Sequence, residues 1–369
     1  METITRLRGV AAASVLAMCS IGVAPTLRCS TADVAPSQLP TPTASRRDQL
    51  PRKILVGTEI TGYDVILKFS LAKRLQQMDD YVNAMEAQAN RKYPGKRLDL
   101  VVFGEYFMAR GADSLAQNAV RLDEVTPRVS ACAKRHDCYL VVPMVLKEDN
   151  PPDRYTNAAM LMGRDGRLVG IYRKVHPCTD LKYESLEGGM TPGSNFPVFN
   201  CDFGRVGIEI CYDVFYPDGW DALAKQGAEI VALPSETPQT SRPSAYALQH
   251  RYYVVSATPR DHAAVYNPLG MIDAQATQEG VLVHEIDLSY AITGWAEGLD
   301  GGESLKRRFG DKVGYTYYNG EDAGIFWSND PKTSIGQMMR EFGYPEPKDD
   351  VERSRVLQDN VRGNPPSLP

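Results

Sequence analysis

Three segments of this 369-residue chain end in side chains whose types could carry out covalent chemistry together. Val101-Val102-Phe103-Gly104-Glu105 delivers a carboxylate, Ile171-Tyr172-Arg173-Lys174 an ammonium, and Gly207-Ile208-Glu209-Ile210-Cys211 a thiol. Each run reads as a strand with the reactive residue at or just past its carboxyl end. Strand carboxyl ends in an open α/β sheet converge on one edge, so three groups far apart in sequence can meet there. Taken singly, each has an ordinary reading: Glu105 as a surface carboxylate, Lys174 as a solvated charge, Cys211 as a small core residue. Together they describe a nucleophile with its helpers. A thiol of ordinary pKa about 8.5 is mostly protonated at neutral pH, and a carboxylate to take its proton plus a lysine to hold negative charge would make it competent. Attack on an amide carbonyl would generate an oxyanion, for which Lys174 and the backbone N–H of Tyr212 are the expected donors. That chemistry needs neither a metal nor an organic cofactor.

The elements that must position these residues alternate in type. Residues 54–57 read as a buried strand. Residues 71–93 space Leu71, Leu75, Met78, Val82 and Met85 at helical intervals until Pro94-Gly95 stops them. Strands follow at 98–103 and 138–144, with a helix over 123–135 between them. Residues 157–162 and 170–173 form a hairpin across Arg164-Asp165-Gly166. Strands at 205–211 and 229–233 flank a helix over 219–226, and a helix over 246–253 precedes Val254-Val255-Ser256. This alternation, with hairpins, predicts an α/β sandwich with mixed sheets. Beyond Leu288 the pattern weakens, and 294–302 and 310–324 read as loop-rich. The expected organisation is a catalytic domain over 52–290 and a C-terminal extension over 291–369 that packs on or wraps the core.

At this point the sequence resembles the nitrilase superfamily, the carbon-nitrogen hydrolases, in which a Glu, a Lys and a Cys occur in this order. The resemblance covers about residues 54–288, and its strongest blocks are YRKVHP (172–177), FGRVGIEICYD (203–213) and GAEIVALPSE (227–236). It implies a four-layer αββα sandwich, with Glu105 as general base, Lys174 as cationic partner and Cys211 as nucleophile. It also implies a small-molecule amide, N-carbamoyl or nitrile substrate and a homodimer or higher homo-oligomer. Nitrilases usually carry Cys-Trp-Glu at the nucleophile, whereas Cys211-Tyr212-Asp213 looks like the amidase branches, and Asp213 has an ordinary reading as a cap. The family's second glutamate has two candidates: Glu184, followed by Ser185, is the closer match, and Glu187 is the other. Two departures stand out: Gly104 where the family usually has Pro, and Tyr246-Ala247-Leu248-Gln249-His250 in place of Arg-Ala-x-Glu-Asn. A nitrile substrate and a catalytically silent binding protein are the alternatives the sequence leaves open.

Composition narrows the remaining classes. Forty-one basic against 46 acidic residues give a net charge of −5, which disfavours nucleic acid and anionic membranes as partners. A papain-like hydrolase using His250 or His262 would leave the Lys174 block unexplained, and no GxSxG serine elbow is present. Residues 1–32 begin with Arg6 and Arg8, continue through an uncharged apolar stretch and contain small residues, which is the grammar of an export signal with cleavage after Ala32 or Ala17. Ser20, Gly22 and Pro25 interrupt it too often for a stable membrane span. Leu16-Ala17-Met18-Cys19 is a weak lipoprotein pattern. Residues 33–51, rich in Pro, Ser and Thr, read as a flexible linker. The seven cysteines show no zinc-type spacing, and the five beyond residue 32 include Cys211, which must stay a free thiol to act.

Overall fold

The computed structural model describes residues 45–62, 68–149, 154–182, 184–294, 300–344 and 347–363. The expected export segment lies outside them, and only the last part of the expected linker falls within. That linker was expected through residue 51, yet Arg46–Asp48 forms a 3-10 turn. Its Arg46 guanidinium donates to Tyr290 Oη at 2.7 Å and Ala228 O at 2.9 Å. A Pro- and Ser-rich composition concealed the arginines that tie this segment down.

Two six-stranded mixed sheets carry the fold. The first has the order β12-β1-β2-β3-β4-β5, with β1 (Lys53–Ile60), β2 (Leu98–Val102), β3 (Tyr139–Lys147), β4 (Tyr155–Met162), β5 (Leu168–Arg173) and β12 (Gly280–Asp287). The second has the order β11-β10-β9-β8-β7-β6. Its strands are β6 (Val198–Asn200), β7 (Arg205–Ile208), β8 (Ile230–Pro234), β9 (Tyr253–Ala257), β10 (Ala263–Tyr266) and β11 (Ile272–Ala276). Alternation along the strands sorts their side chains into separate cores, as the pleat requires. Val56, Leu100, Val102 and Val141 meet Val206, Ile208, Ile230 and Val255 between the sheets. The opposite residues Leu55, Val101, Leu140 and Val142 face α1 (Leu71–Lys92) and α2 (Leu122–His136). On the far side Val231 and Leu233 pack against Trp220 and Leu223 of α3 (Pro217–Lys225) and Ala247 of α4 (Ser241–His250). Three cores between four layers make the αββα sandwich that the resemblance implied.

The helix over 246–253 is displaced: α4 begins five residues earlier at Ser241, and Tyr253 already starts β9. Arg251, left-handed at φ +56°, ends the helix. The region 310–324 is not a loop. β13 (Tyr290–Gly294), β14 (Val313–Tyr318) and β15 (Ala323–Ser328) form a third sheet in the order β13-β15-β14. Its apolar face closes on Leu305 of α5 (Glu303–Phe309) and on Ile335, Met338 and Met339 of α6 (Ile335–Phe342). One glycine and three tyrosines fill four of the six positions of β14, so no apolar alternation announced it. The chain's described part ends in α7 (Pro347–Arg362). No helix among the described residues is long and apolar enough to cross a membrane.

Candidate active site

Strand direction explains where the site forms. β2 runs parallel to β3, β4 runs antiparallel to both β3 and β5, and β7 and β8 run parallel to one another. The carboxyl ends of β2 and β5 and the amino end of β4 therefore share one edge of the first sheet, where Glu105, Lys174 and Asn157 lie. The second sheet brings its own strand ends to the same place, since the amide of Glu236, two residues past β8, donates to Glu105 Oε2 at 2.9 Å.

Lys174 is the centre of the cluster. Its Nζ lies 2.9 Å from Glu105 Oε1 and 2.8 Å from Glu187 Oε2. Lys174 and Glu105 are each 2% exposed and Glu187 5%. Burial alone would lower the lysine pKa, but Glu105, Cys211 and Glu187 hold it well above the ordinary value, so the ammonium stays charged. Asn157 Nδ2 bridges the two carboxylates, donating to Glu105 Oε1 at 2.7 Å and Glu187 Oε1 at 2.5 Å. Tyr106 Oη and the Cys178 amide, the latter at 2.9 Å, complete the donors to Glu187. Burial pushes the Glu187 carboxyl up, yet Lys174, Tyr106 and Asn157 outweigh it and keep the group below its usual range.

Cys211 opens a 3-10 turn (Cys211–Phe215) rather than ending the preceding strand, and its own backbone is left-handed at φ +45°. Such a conformation is costly for a residue with a Cβ and persists only where surrounding bonds enforce it. Asp213 supplies them. Its carboxylate accepts from the amides of Ile210 and His176, both at 2.9 Å, and from Tyr172 Oη at 2.8 Å. Asp213 does not cap the following helix α3, which starts from Tyr216 without a side-chain cap; it closes the Cys211 turn on itself and ties it to the chain just past Lys174. Glu105, Lys174 and Ser235 lie close enough to act on the Cys211 thiol: burial first, then Glu105, raises its pKa strongly, with Lys174 and Ser235 opposing. The thiol therefore rests protonated beside the carboxylate that would take its proton. The Tyr212 amide precedes the first backbone bond of the turn, from Asp213 N to Ile210 O at 3.0 Å.

The structure brings Glu105, Lys174 and Cys211 together and, of the two candidate second glutamates, places Glu187 beside Lys174. Glu184 is exposed. Asp180 accepts from the amides of Lys182 and Glu184 and from Ser185 Oγ, forming a turn that carries Glu184 outward. The chain returns through the Thr179–Leu186 bridge, and Glu187 N donates to Cys178 O at 2.7 Å, with Glu187 left-handed and inward. Asn157, Tyr106 and Ser235 belong to the site and were not foreseen. Asn157, the one amide in the buried run of β4, was the available signal.

Both departures have structural counterparts. The Gly104 amide donates to Glu59 Oε1 at 2.8 Å, a bond that Pro cannot make. Tyr246 stacks on Trp220 at 4.4 Å between ring centroids, and His250 pairs with Asp221 at 3.1 Å, so that block joins α3 to α4. His262 lies 3.2 Å from Thr240 Oγ1 and 3.3 Å from Tyr266 Oη. Neither histidine is bonded to Cys211. Among the described residues one trio, Asp79, Cys132 and His136, has potential metal-ligating atoms within 4.8 Å of one another. It sits between α1 and α2, and Asp79 is already paired with Arg128 at 2.8 Å and Arg135 at 3.4 Å.

Residues 55–294 match the family model described as carbon-nitrogen hydrolase. The chain belongs to this family. Among curated relatives, omega-amidase NIT2 of Xenopus tropicalis is 29% identical over 190 residues, covering 45% of this chain and 68% of the relative. The human omega-amidase NIT2 is 30% identical over 189 residues, covering 45% and 67%. Solved structures share the fold. Nit3 of Saccharomyces cerevisiae, a member of branch 10 of the nitrilase superfamily, has a TM-score of 0.54 at 21% identity, covering 73% of this chain and 97% of its own. An amidase from Nesterenkonia sp. has 0.51 at 19%, covering 64% and 91%. This carbon-nitrogen hydrolase thus has amidases among its relatives by sequence and by fold.

Proposed function

We propose that the chain hydrolyses a non-peptide amide or N-carbamoyl bond through a thioester on Cys211. The observation that carries this reading is the buried cluster at the thiol: Glu105 and Lys174 both act on Cys211, and Glu105 is paired with that lysine, which a second carboxylate, Glu187, also holds. Because the thiol rests protonated, its proton passes to Glu105 as sulfur attacks the carbonyl carbon. The carbonyl π pair moves onto oxygen, and Lys174 with the Tyr212 amide stabilises that oxyanion. The C–N bond breaks as Glu105 returns the proton to the departing ammonia or amine. Water then attacks the thioester while Glu105 accepts its proton, and the restored thiol and the acid product leave. Asn157, Tyr106 and the Glu236 amide orient the two carboxylates, which would otherwise repel one another around Lys174.

Ammonia release from panels of amides, N-carbamoyl compounds and nitriles tests the reading, with Cys211→Ala as the control. Turnover of amides or N-carbamoyl compounds that the variant abolishes supports it. Nitrile turnover alone would favour the nitrilase alternative, and binding without turnover of any panel member would favour a silent scaffold. We further propose that residues 1–32 direct export of the chain; the basic start followed by an uncharged apolar stretch supports this.

A further inference from the structure

Glu236 is a second acidic feature of the site that the hydrolytic steps do not use. Its backbone is anchored by the 2.9 Å bond from its amide to Glu105 Oε2. Its carboxyl group lies close enough to Glu105, Lys174, Glu187 and Arg260 to be acted on by all four, and it acts in turn on Tyr106. Those partners come from the end of β2, the end of β5, the loop before β6 and the loop after β9, so the carboxyl group sits within the cluster. Glu105, Lys174 and Glu187 are buried, whereas Glu236 and Cys211 retain partial access to solvent. Glu236 directly follows Ser235, which acts on the Cys211 thiol, so the partly open carboxyl group and the partly open thiol belong to one site.

Charge balance says what that molecule should carry. Glu105 and Glu187 already exceed the single charge of Lys174, and Glu236 adds a third carboxylate. The remaining neighbour, Arg260, also pairs with Asp261 at 2.7 Å. Burial, then Glu105, pushes the Glu236 carboxyl up to about 7, with Glu187 adding and Lys174 and Arg260 opposing, so further positive charge beside the anion would be favourable. A cationic group on the substrate would supply it, and an anionic group would be repelled by all three carboxylates.

We propose that Glu236 is a specificity-determining residue that selects amides bearing a cationic nitrogen near the scissile bond, an ammonium or guanidinium, over neutral and anionic ones. The proposal rests on the amide-hydrolase reading above. It is tested with three amides of similar length: γ-aminobutyramide, its neutral isostere valeramide, and succinamate. The wild type should rank them in that order of kcat/KM. Glu236→Gln should lower the ratio of γ-aminobutyramide to valeramide about tenfold, one charge interaction of about 1.4 kcal/mol, and Glu236→Asp should restore most of it. A ratio within about twofold of the wild type in Glu236→Gln would overturn the proposal.

Labelling of Cys211 separates this outcome from failure of the hydrolytic reading. Aminoethyl, methyl and sulfonatoethyl methanethiosulfonates carry positive, zero and negative charge, and peptide mapping distinguishes Cys211 from Cys178. Any change in the thiol's own reactivity cancels in the ratio of cationic to anionic rates. That ratio should exceed one in the wild type and fall about a hundredfold in Glu236→Gln, since attraction of the cation and repulsion of the anion are both removed, even if no amide is turned over. An unchanged ratio would again overturn the proposal.

Discussion

Replacing Glu187 by Gln tests whether Glu187, rather than Glu184, supports Lys174. Glu187 Oε2 lies 2.8 Å from Lys174 Nζ, and its other oxygen accepts from Tyr106 and Asn157. The amide keeps the shape but removes one of the two negative charges that hold a buried ammonium. Losing one partner of a buried pair outright costs about 3–5 kcal/mol. Here Glu105 stays 2.9 Å from the same ammonium, so a loss of about 1–3 kcal/mol is expected, closer to that of a charged hydrogen bond. At about 2–4 °C per kcal/mol for a chain of this size, Tm should fall by about 2–12 °C. If about 2 kcal/mol of that is orientation of Lys174 toward the oxyanion, kcat falls about thirtyfold. Glu187 is held below its ordinary pKa, so it contributes stability above the unfolded value near 4.3 that is lost as pH falls through the folded one. The Tm gap between wild type and Glu187→Gln should therefore close on acidification below about pH 4. The assay is steady-state kinetics with thermal unfolding from pH 3.5 to 8, and Glu184→Gln is the control. An exposed Glu184 predicts near wild-type values for that variant. If Glu184→Gln lost as much activity as Glu187→Gln, the assignment would be wrong.

Other expectations follow from buried groups and thiols. Burial pushes the Glu59 carboxyl up to about 7, against the pull of Thr61 and the Gly104 amide. The folded state then holds a proton that the unfolded state has released between about pH 4.5 and 7, so this group's contribution to stability declines as pH rises. Glu59→Gln should remove that slope, gaining up to about 3 kcal/mol relative to wild type between pH 5 and 8, as read by urea unfolding; a pH-independent difference would contradict the burial argument. Cys132, Cys138, Cys178, Cys201 and Cys211 are all free in the structure. Thiol counting on non-reduced, unfolded protein should find all five, and a disulfide containing Cys211 in active enzyme would overturn its role. N-terminal sequencing of exported protein should begin after Ala32 or Ala17, and an intact Met1 on cytosolic protein would refute export.

The grouping of Glu105, Lys174 and Cys211 was legible because each stands where a strand's apolar run stops, and because carboxylate, ammonium and thiol make chemical sense only together. The supporting residues were less so, for physical reasons. Glu184 and Glu187 lie three apart in one loop, and only the hydrogen bonds of Asp180 and the Thr179–Leu186 bridge decide which one turns inward. Asn157 sits in a strand as any buried polar residue might, and its partners come from Glu105 and Glu187, remote in sequence. The sandwich was readable from alternating elements, while β14 escaped because Gly314, Tyr315, Tyr317 and Tyr318 carry no apolar alternation and its order depends on pairing with β15. Strand ends shifted where side chains intervene: β7 stops at Ile208 because Asp213 takes the Ile210 amide for the nucleophile turn.

The most direct test of the central claim is intact-protein mass spectrometry of enzyme quenched during turnover of a slow amide, followed by peptide mapping. A thioester on Cys211 should accumulate, with a mass increase equal to the substrate's acyl group minus one hydrogen, and should be absent from a folded Cys211→Ala variant that has lost turnover. An acyl group on another residue, or full turnover by Cys211→Ala, would contradict the account.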